Sequence, residues 1–278
     1  MDIKINTSNF KVNQGNQKMA LDFINSGLWE PYTFTIIDYF TNTKSVAIDL
    51  GCWNGVTSLY IANATHTVYA IDADPICFSE LLKNMDLNPK LKNKIKPFNL
   101  AISNKNEVVK LYARENYGES STSILERKRD KITSSQIEAL PFDDFITNEK
   151  INQVDFIKMD IEGAEFLILP TLDQALKKMK YPTLYVSFHY NYLNENLYSK
   201  YIASRFLTKV ILKIERLLKV SFLKYKIEKS LNKVFTNLNT YEYIYSHTGE
   251  LFSFDDLKKN PLLIKHNELV FTNKKWNK

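Results

Sequence analysis

Short apolar runs alternate along much of this 278-residue chain with segments whose apolar positions recur at helical spacing. Runs at 45–50 (SVAIDL), 67–72 (TVYAID), 95–102 (IKPFNLAI), 154–160 (VDFIKMD) and 183–189 (TLYVSFH) have the composition of strands buried on both faces. Between them, 55–63 (GVTSLYIAN), 75–87 (PICFSELLKNMDL) and 162–178 read as helices, and 107–112 (EVVKLY) as a further strand. Strands alternating with helices predict βαβ units, hence an α/β fold with a mostly parallel sheet covered on both faces. In such sheets ligands sit beyond the carboxyl ends of the strands. Asp49, Asp72, Asp160 and His189 all stand where a strand is expected to stop.

The flanks differ from this core. Met19, Leu21, Phe23, Ile24 and Leu28 share one face of an expected helix leading to Trp29-Glu30-Pro31, and 33–40 (TFTIIDYF) reads as a second. Residues 193–234 carry many Lys and Arg with apolar residues at helical spacing, one or two basic amphipathic helices suited to a lid or a homo-oligomer contact. After them, 241–245 (YEYIY) and 268–272 (ELVFT) predict a closing antiparallel pair. The expected organisation is a single domain over 1–278: N-terminal helices at 1–44, a cofactor-binding core at 45–190, a helical insertion or lid at 191–240 and closing strands at 241–278.

Composition changes this picture little. Hydrophobic residues make up 44% of the chain, enough for a sizeable core, and the net charge of +6 suits anionic partners such as nucleotides. Two cysteines, Cys52 and Cys77, and a start without an apolar leader predict free thiols and a cytoplasmic protein. No apolar run approaches the ~18–20 residues of a membrane-spanning helix.

The first group of candidate residues lies in VAIDLGCWNG, 46–55. Gly51 and Gly55 let the backbone turn sharply and approach a ligand, because no Cβ intrudes. The helix start that follows offers free N–H groups to an anion. Asp72, about 20 residues on, is placed to accept both hydroxyls of a ribose. A dinucleotide site requires G-x-G-x-x-G, but Trp53 stands two positions after Gly51 and would obstruct a pyrophosphate. The D-x-G-x-x-x-G form, starting at Asp49, suits S-adenosylmethionine, whose anionic end is a small carboxylate; Asn54 and Ser58 are candidates for its methionine end.

The second group is KMDIEGAE, 158–165, with His189 closing the next strand. Alternation puts Lys158 and Asp160 on one side of their strand, and Glu162 and Glu165 are spaced to share a helix face. Parallel neighbours lie ~4.8 Å apart, so adjacent strands would bring two acids and an imidazole together. That set suits either a divalent metal or a general-base pair, with Lys158 balancing the acids.

VAIDLGCWNG, VYAIDADP, NLAIS and above all KMDIEGAE followed by a strand ending in His resemble the FkbM-type methyltransferases over roughly residues 29–190. The resemblance implies a Rossmann-like class I methyltransferase fold that uses S-adenosylmethionine, often on hydroxyls of sugars and natural products. It implies cofactor-binding roles for Glu30, Asp49, Gly51, Asn54, Gly55 and Asp72, with Ala101-Ile102 along the adenine. The family loop usually reads Ala-Asn-x-Gly where this chain has Cys52-Trp53-Asn54-Gly55.

The expected function is therefore O-methylation of a sugar hydroxyl in a nucleotide-sugar or surface glycan precursor, for polysaccharide biosynthesis. Asp160, Glu162 and His189 are the expected ligands of Mg, Mn or Fe, with Glu165 in reserve and Lys158 as base or its assistant. Arg114, Arg127, Lys128 and Arg129 are candidates to grip a diphosphate. One alternative is a metal-free enzyme in which His189 is the base and Asp160 orients it. Another is a nucleic-acid methyltransferase, disfavoured because no amino-methylating N/D-P-P-Y signature or basic RNA-binding module is present. A non-catalytic scaffold leaves the clustered acids and His189 without a use.

Overall fold

The computed structural model describes residues 1–15, 17–127, 130, 131, 135–202, 213, 222–265 and 268–277. It opens with a hairpin, β1 (Asp2–Ile5) and β2 (Ser8–Lys11), where the sequence reading expected only helices. The alternation was present: Ile3, Ile5, Phe10 and Val12 are all buried, and Asn6 takes a left-handed backbone (φ 49°) at the turn, a conformation Asn tolerates. Helix α1 (Lys18–Asn25) buries Leu21 and Ile24, but Met19, Phe23 and Leu28 lie exposed, so the expected apolar face is narrower than its five residues. Helix α2 (Pro31–Phe40) has Pro at its first position, where the missing N–H costs nothing.

The core then follows the predicted alternation: β3 (Val46–Leu50), α3 (Val56–Ala64), β4 (Thr67–Asp72), α4 (Pro75–Asp86), a short α5 (Pro89–Lys92) and β5 (Ile95–Asn99). The run 95–102 is not one strand. It breaks at Leu100, and β6 (Ala101–Ser103) joins a separate small sheet with β7 (Glu107–Lys110) and β8 (Gln136–Pro141), in the order β6-β8-β7. Strand β8 and helix α6 (Phe142–Asn148) escaped the sequence reading. After β9 (Phe156–Met159), the expected helix 162–178 is broken into α7 (Glu165–Ile168), a tight 3-10 turn over Leu169–Thr171 and α8 (Asp173–Lys178). Gly163, at φ +100°, delays the start, and Pro170 cannot continue a helix. Then come β10 (Thr183–Val186), α9 (Tyr190–Ile202), α10 (Phe222–Leu238), β11 (Tyr243–Ser246), β12 (Leu251–Phe252), α11 (Phe254–Lys259) and β13 (Leu269–Thr272).

The main sheet runs β12-β11-β13-β10-β9-β3-β4-β5. Strands β10, β9, β3, β4 and β5 are parallel, and the closing strands add antiparallel, as expected. Chain order runs outward from β3 through β4 to β5, then returns to β9 on the other side of β3. The switch point therefore lies between the carboxyl ends of β3 and β9, the place where such sheets bind ligands.

Two apolar layers cover the sheet. One includes Ile48, Ile157 and Leu184 with α6, α7, α8 and α10; the other includes Ala47, Phe156 and Tyr185 with the hairpin, α1, α2 and α3. Ile227, Leu231, Val234, Phe235 and Leu238 of α10 are buried in the first layer. The apolar side of that part of 193–234 thus packs onto the protein's own body. Residues 203–212 and 214–221 of that segment lie outside the described residues.

Candidate active site

At the switch point Gly51 leaves β3 with φ +80°, and its N–H donates to the Ile71 carbonyl at 2.9 Å. A Cβ there would stand 1.8 Å from the carbonyl oxygen of Asp160, so only glycine lets the ends of β3 and β9 lie this close. Gly55, at φ +86°, caps α3, and a Cβ on it would meet Leu81 at 2.3 Å. Between them Trp53 also takes a left-handed backbone (φ 49°), stacks on Trp29 with ring centroids 5.8 Å apart and donates from Nε1 to the Gly118 carbonyl.

These turns shape a first cleft of about 600 Å³, lined among others by Gly51, Trp53, Ile71, Asp72, Ala101, Ile102, Asp160 and Glu162. Asp72 anchors it: Oδ2 accepts the Trp53 N–H at 2.7 Å and Oδ1 the Asp74 N–H at 2.9 Å. Burial pushes its pKa up to about 7, against the pull of those two N–H groups. Asp74 caps α4 through the N–H of Ile76 and also accepts the Gly118 N–H and the Thr122 hydroxyl. Ser120, Thr122, Ser123 and Ile124 line the cleft, so the Ser/Thr loop forms part of its wall.

Several expected cofactor contacts lie elsewhere. Asp49 and Ser58 are both fully buried, the Ser58 hydroxyl donating to Asp49 Oδ2 at 2.6 Å beneath the loop. Asn54 is buried, bonded to Gln17 and to the N–H of Val56. These three shape the loop from behind; they do not line the first cleft. Glu30 lines a different cleft, with His189 and Glu268. Arg114 pairs with Glu195 at 3.0 Å, and the buried Arg127 pairs with Asp130 at 2.9 Å, so both cations are engaged within the protein and leave the expected diphosphate grip without them. Lys128 and Arg129 lie outside the described residues.

The second group does assemble. Asp160, just past β9, and His189, three residues past β10, are brought together by the parallel pairing of those strands. Glu162 joins them through a left-handed backbone (φ 55°), uncommon for a residue with a side chain. His189 Nε2 stands 3.6 Å from Asp160 Oδ1 and 3.5 Å from Glu162 Oε2, and the three donor atoms lie within 4.8 Å of one another. Among the described residues Glu162 Oε2 is buried without a hydrogen-bond partner, with the Arg127 guanidinium standing 3.9 Å away. An orphaned carboxylate oxygen facing a second carboxylate and an imidazole fits a hard divalent cation. Glu165 is fully buried; its Oε1 accepts from His189 Nδ1 at 2.9 Å and from the Ile161 N–H. It therefore acts behind His189, fixing the ring so that Nε2 faces the acids, and is not itself part of the set.

Electrostatics separates the roles further. Burial alone would lower the His189 pKa, but Glu165, Glu162 and Asp160 outweigh it and raise it to about 10. Burial raises Glu162 to about 8. Burial would raise Asp160 too, but Lys158 and His189 hold it below the usual carboxylate range. Lys158 is buried with Nζ 2.9 Å from Asp160 Oδ2; burial disfavours its charge, yet Asp160, Glu30 and Asp49 push its pKa further up. It stays an ammonium, which suits charge balance and rules against the expected role as base.

Comparison with known proteins follows this geometry. The model of the methyltransferase FkbM domain matches residues 40–228. Among solved structures, the chain is similar to the methyltransferase FkbM from Methylobacillus flagellatus KT, at 18% identity over 61% of this chain and 42% of that chain, with a TM-score of 0.41. It is also similar to Trm5b from Pyrococcus abyssi (16% identity, 56% of this chain, 32% of that chain, TM-score 0.31). A third similarity is to M. jannaschii TYW2 in complex with AdoMet (14%, 66% and 61%, TM-score 0.32). The chain thus spans less than half the length of the first two. No curated protein matches it. Among the described residues no helix is long and apolar enough to cross a membrane, and Cys52 and Cys77 are buried free thiols. The family match covers well over half of the sequence, and the chain belongs to the methyltransferase FkbM domain family.

Proposed function

We propose that this chain, as one domain, transfers a methyl group from S-adenosylmethionine to a sugar hydroxyl with the help of a divalent cation such as Mg, Mn or Fe. The observation that carries this reading is the convergence of Asp160, Glu162 and His189 at the edge of a cleft whose opposite acid is Asp72.

S-adenosylmethionine brings a methyl already activated by its sulfonium. Asp72 is the residue to hold its ribose diol, the apolar shelf of Ile71, Ala101 and Ile102 its adenine, and the turn at Gly51 its methionine end. A cation held by Asp160, Glu162 and His189 would make an acceptor hydroxyl more acidic. Lys158 keeps Asp160 ionised and pointed, and Glu165 holds the His189 ring. The remaining work is alignment of the acceptor oxygen with the sulfonium methyl.

The arrangement around His189 supports the cation reading over the metal-free one. A base pair needs one acid behind the ring, and Glu165 on Nδ1 fills that place, which leaves Asp160 and Glu162 together on the Nε2 side. A divalent cation is what those acids and a deprotonated Nε2 suit together.

The test is transfer of radiolabelled methyl to a panel of glycosides and nucleotide-sugars, run with EDTA and then with Mg, Mn or Fe(II) restored. Expected is loss in chelator and recovery with one of the metals. Full activity in chelator removes the cation from the reading; no transfer to any hydroxyl removes the sugar.

A further inference from the structure

A second cleft, about 820 Å³ in volume, lies beside the site and shares no lining residue with the first. The triad joins the two. His189 lines the second cleft, while its Nε2 stands 3.6 and 3.5 Å from Asp160 and Glu162, which line the first. An acceptor in the second cleft would therefore meet a donor in the first across His189.

The walls of this second cleft come from five places: the start of α2 (Glu30, Tyr32), the end of β10 (Ser187), the turn after β11 (His247), the 3-10 turn over Pro261–Lys265 (Lys265) and the segment entering β13 (Glu268). Its polar groups are held firmly. The Thr33 hydroxyl lies 3.1 Å from Glu30 Oε2 and 2.8 Å from the Tyr185 hydroxyl, which donates to Glu268 Oε2. Two hydroxyl protons serve three contacts, so one carboxyl supplies the third proton. Glu30, raised by burial to about 7, is the carboxyl that holds it most readily. The other Glu268 oxygen, Oε1, has only the Ser187 hydroxyl at 3.4 Å. His247 Nδ1 is buried without a hydrogen-bond partner, and its ring meets Tyr32 edge-on with centroids 4.9 Å apart. Tyr32 is 41% exposed, a ring at the cleft rather than in the core.

The chemistry of this lining is selective. Carboxylates and an imidazole nitrogen accept or exchange hydrogen bonds with hydroxyls, and an aromatic ring covers the apolar face of a sugar. The exposed Lys265 on the same lining balances the carboxylates, so hydrogen-bonding groups and the ring, not net charge, select the ligand. Resting on the methyl-transfer reading, we propose that this second cleft is the acceptor subsite, and that it takes a polyhydroxylated ring. Hydroxyls of the ring donate to Glu268 and Glu30, its apolar face lies against Tyr32, and the hydroxyl to be methylated is presented to His189. Glu30 thereby belongs to the acceptor, not to the cofactor.

The test uses the full chain with S-adenosylhomocysteine present, and saturation-transfer NMR on methyl glucoside, methyl rhamnoside, methyl fucoside and methyl glucuronide. Expected is saturation transfer to at least one of these glycosides, strongest on the ring protons of one face, as a ring lying against Tyr32 requires. Tyr32→Ala and Glu268→Gln should each weaken the bound glycoside about fivefold or more while S-adenosylhomocysteine affinity, read by calorimetry, stays within about twofold. Tyr32→Ala alters a half-exposed ring and remains informative where Glu268→Gln upsets Tyr185. No signal from any of these glycosides, or indifference of the bound glycoside to Tyr32→Ala, overturns the proposal. Failure of S-adenosylhomocysteine to bind the wild-type chain, with glycosides still binding as described, overturns the donor reading and leaves the subsite standing.

Discussion

Two neighbouring rows across the central sheet, one residue apart along every strand and on opposite faces, are built from opposite materials. On one face the row Tyr69–Ile48–Ile157–Leu184–Phe271 crosses β4, β3, β9, β10 and β13, and every member is apolar and buried. One step further along the same strands, the row Ala70–Asp49–Lys158–Tyr185–Val270 carries an acid, an ammonium and a phenol side by side on the other face. Side chains alternate across a sheet, so a single residue separates these two environments. The apolar row holds the sheet together by removing surface from water. The polar row is tolerated only because its charges compensate one another, and it reaches the triad through Lys158 and Asp160. The chemistry is thus drawn from one row of a face that is otherwise apolar, as Ala47 and Phe156 show, and substitutions in the two rows should have different signatures.

The sharpest break is expected at Lys158→Met. It leaves Asp49 and Asp160 buried without their cation, a cost of about 3–5 kcal/mol, to be read from denaturant midpoints. Adding Asp49→Asn to the same chain should recover part of that loss, since it removes one of the two stranded charges. If the single variant is as stable as the wild type, the polar row is not held by compensation.

Next in size is Glu165→Gln. The amide retains an acceptor for the Ile161 N–H but loses the charge behind His189. Outer groups of this kind are worth about 10–100-fold, here in methyl transfer and in Mn²⁺ affinity measured by calorimetry. A merely structural role would lower thermal stability and leave Mn²⁺ affinity alone.

A smaller effect separates binding from stability at Asp72. Its pKa is raised from the ordinary 3.8 to about 7 in the folded protein. The neutral acid is favoured by folding, so its contribution is complete below the ordinary value and is lost as pH climbs through about 7. Donor binding runs the other way, because the ionised carboxylate is the better acceptor for a ribose diol. S-adenosylhomocysteine affinity should therefore rise between pH 6 and 8, and Asp72→Asn should weaken it about tenfold and flatten that rise.

The smallest change expected is on the apolar row. Ile157→Val removes one buried methylene beside the site and should cost about 0.5–1.5 kcal/mol with methyl-transfer kinetics unaltered. A change in KM for the donor would mean that the two faces are coupled more closely than their register suggests.

Legibility followed range along the chain. The alternating strands and helices, the closing antiparallel pair and the glycine turns were readable because each rests on local periodicity or on backbone conformation at one residue. The N-terminal hairpin carried its own alternation, Ile3, Ile5, Phe10 and Val12, and was missed only for its shortness. The division of IKPFNLAI between two sheets was not readable, since both halves have the same strand composition and differ only in their partners. Among the candidate site residues, Asp72, Asp160 and His189 were picked out by position at strand ends, Gly51 by turn chemistry, Glu162 by helix spacing and Ala101 by resemblance, and the structure brings them to one cleft or one cluster. Glu268, Tyr185 and His247 carry no local mark. They meet Glu30 only because β13 pairs with β10 and α2 packs against that end of the sheet.

The sequence by itself determined most element types of the core, the parallel direction of its strands and which acids would stand near their ends, because side-chain period and turn chemistry act over a few residues. Only the tertiary structure decided which of those acids face a cleft and which are buried beneath it, as with Asp72 and Asp49. It also decided that Lys158 remains charged and that Glu30 belongs beside Glu268. Those outcomes depend on burial and on charges far apart in the chain, and the free energy of a charged group is set by its surroundings in space, not by its neighbours in sequence.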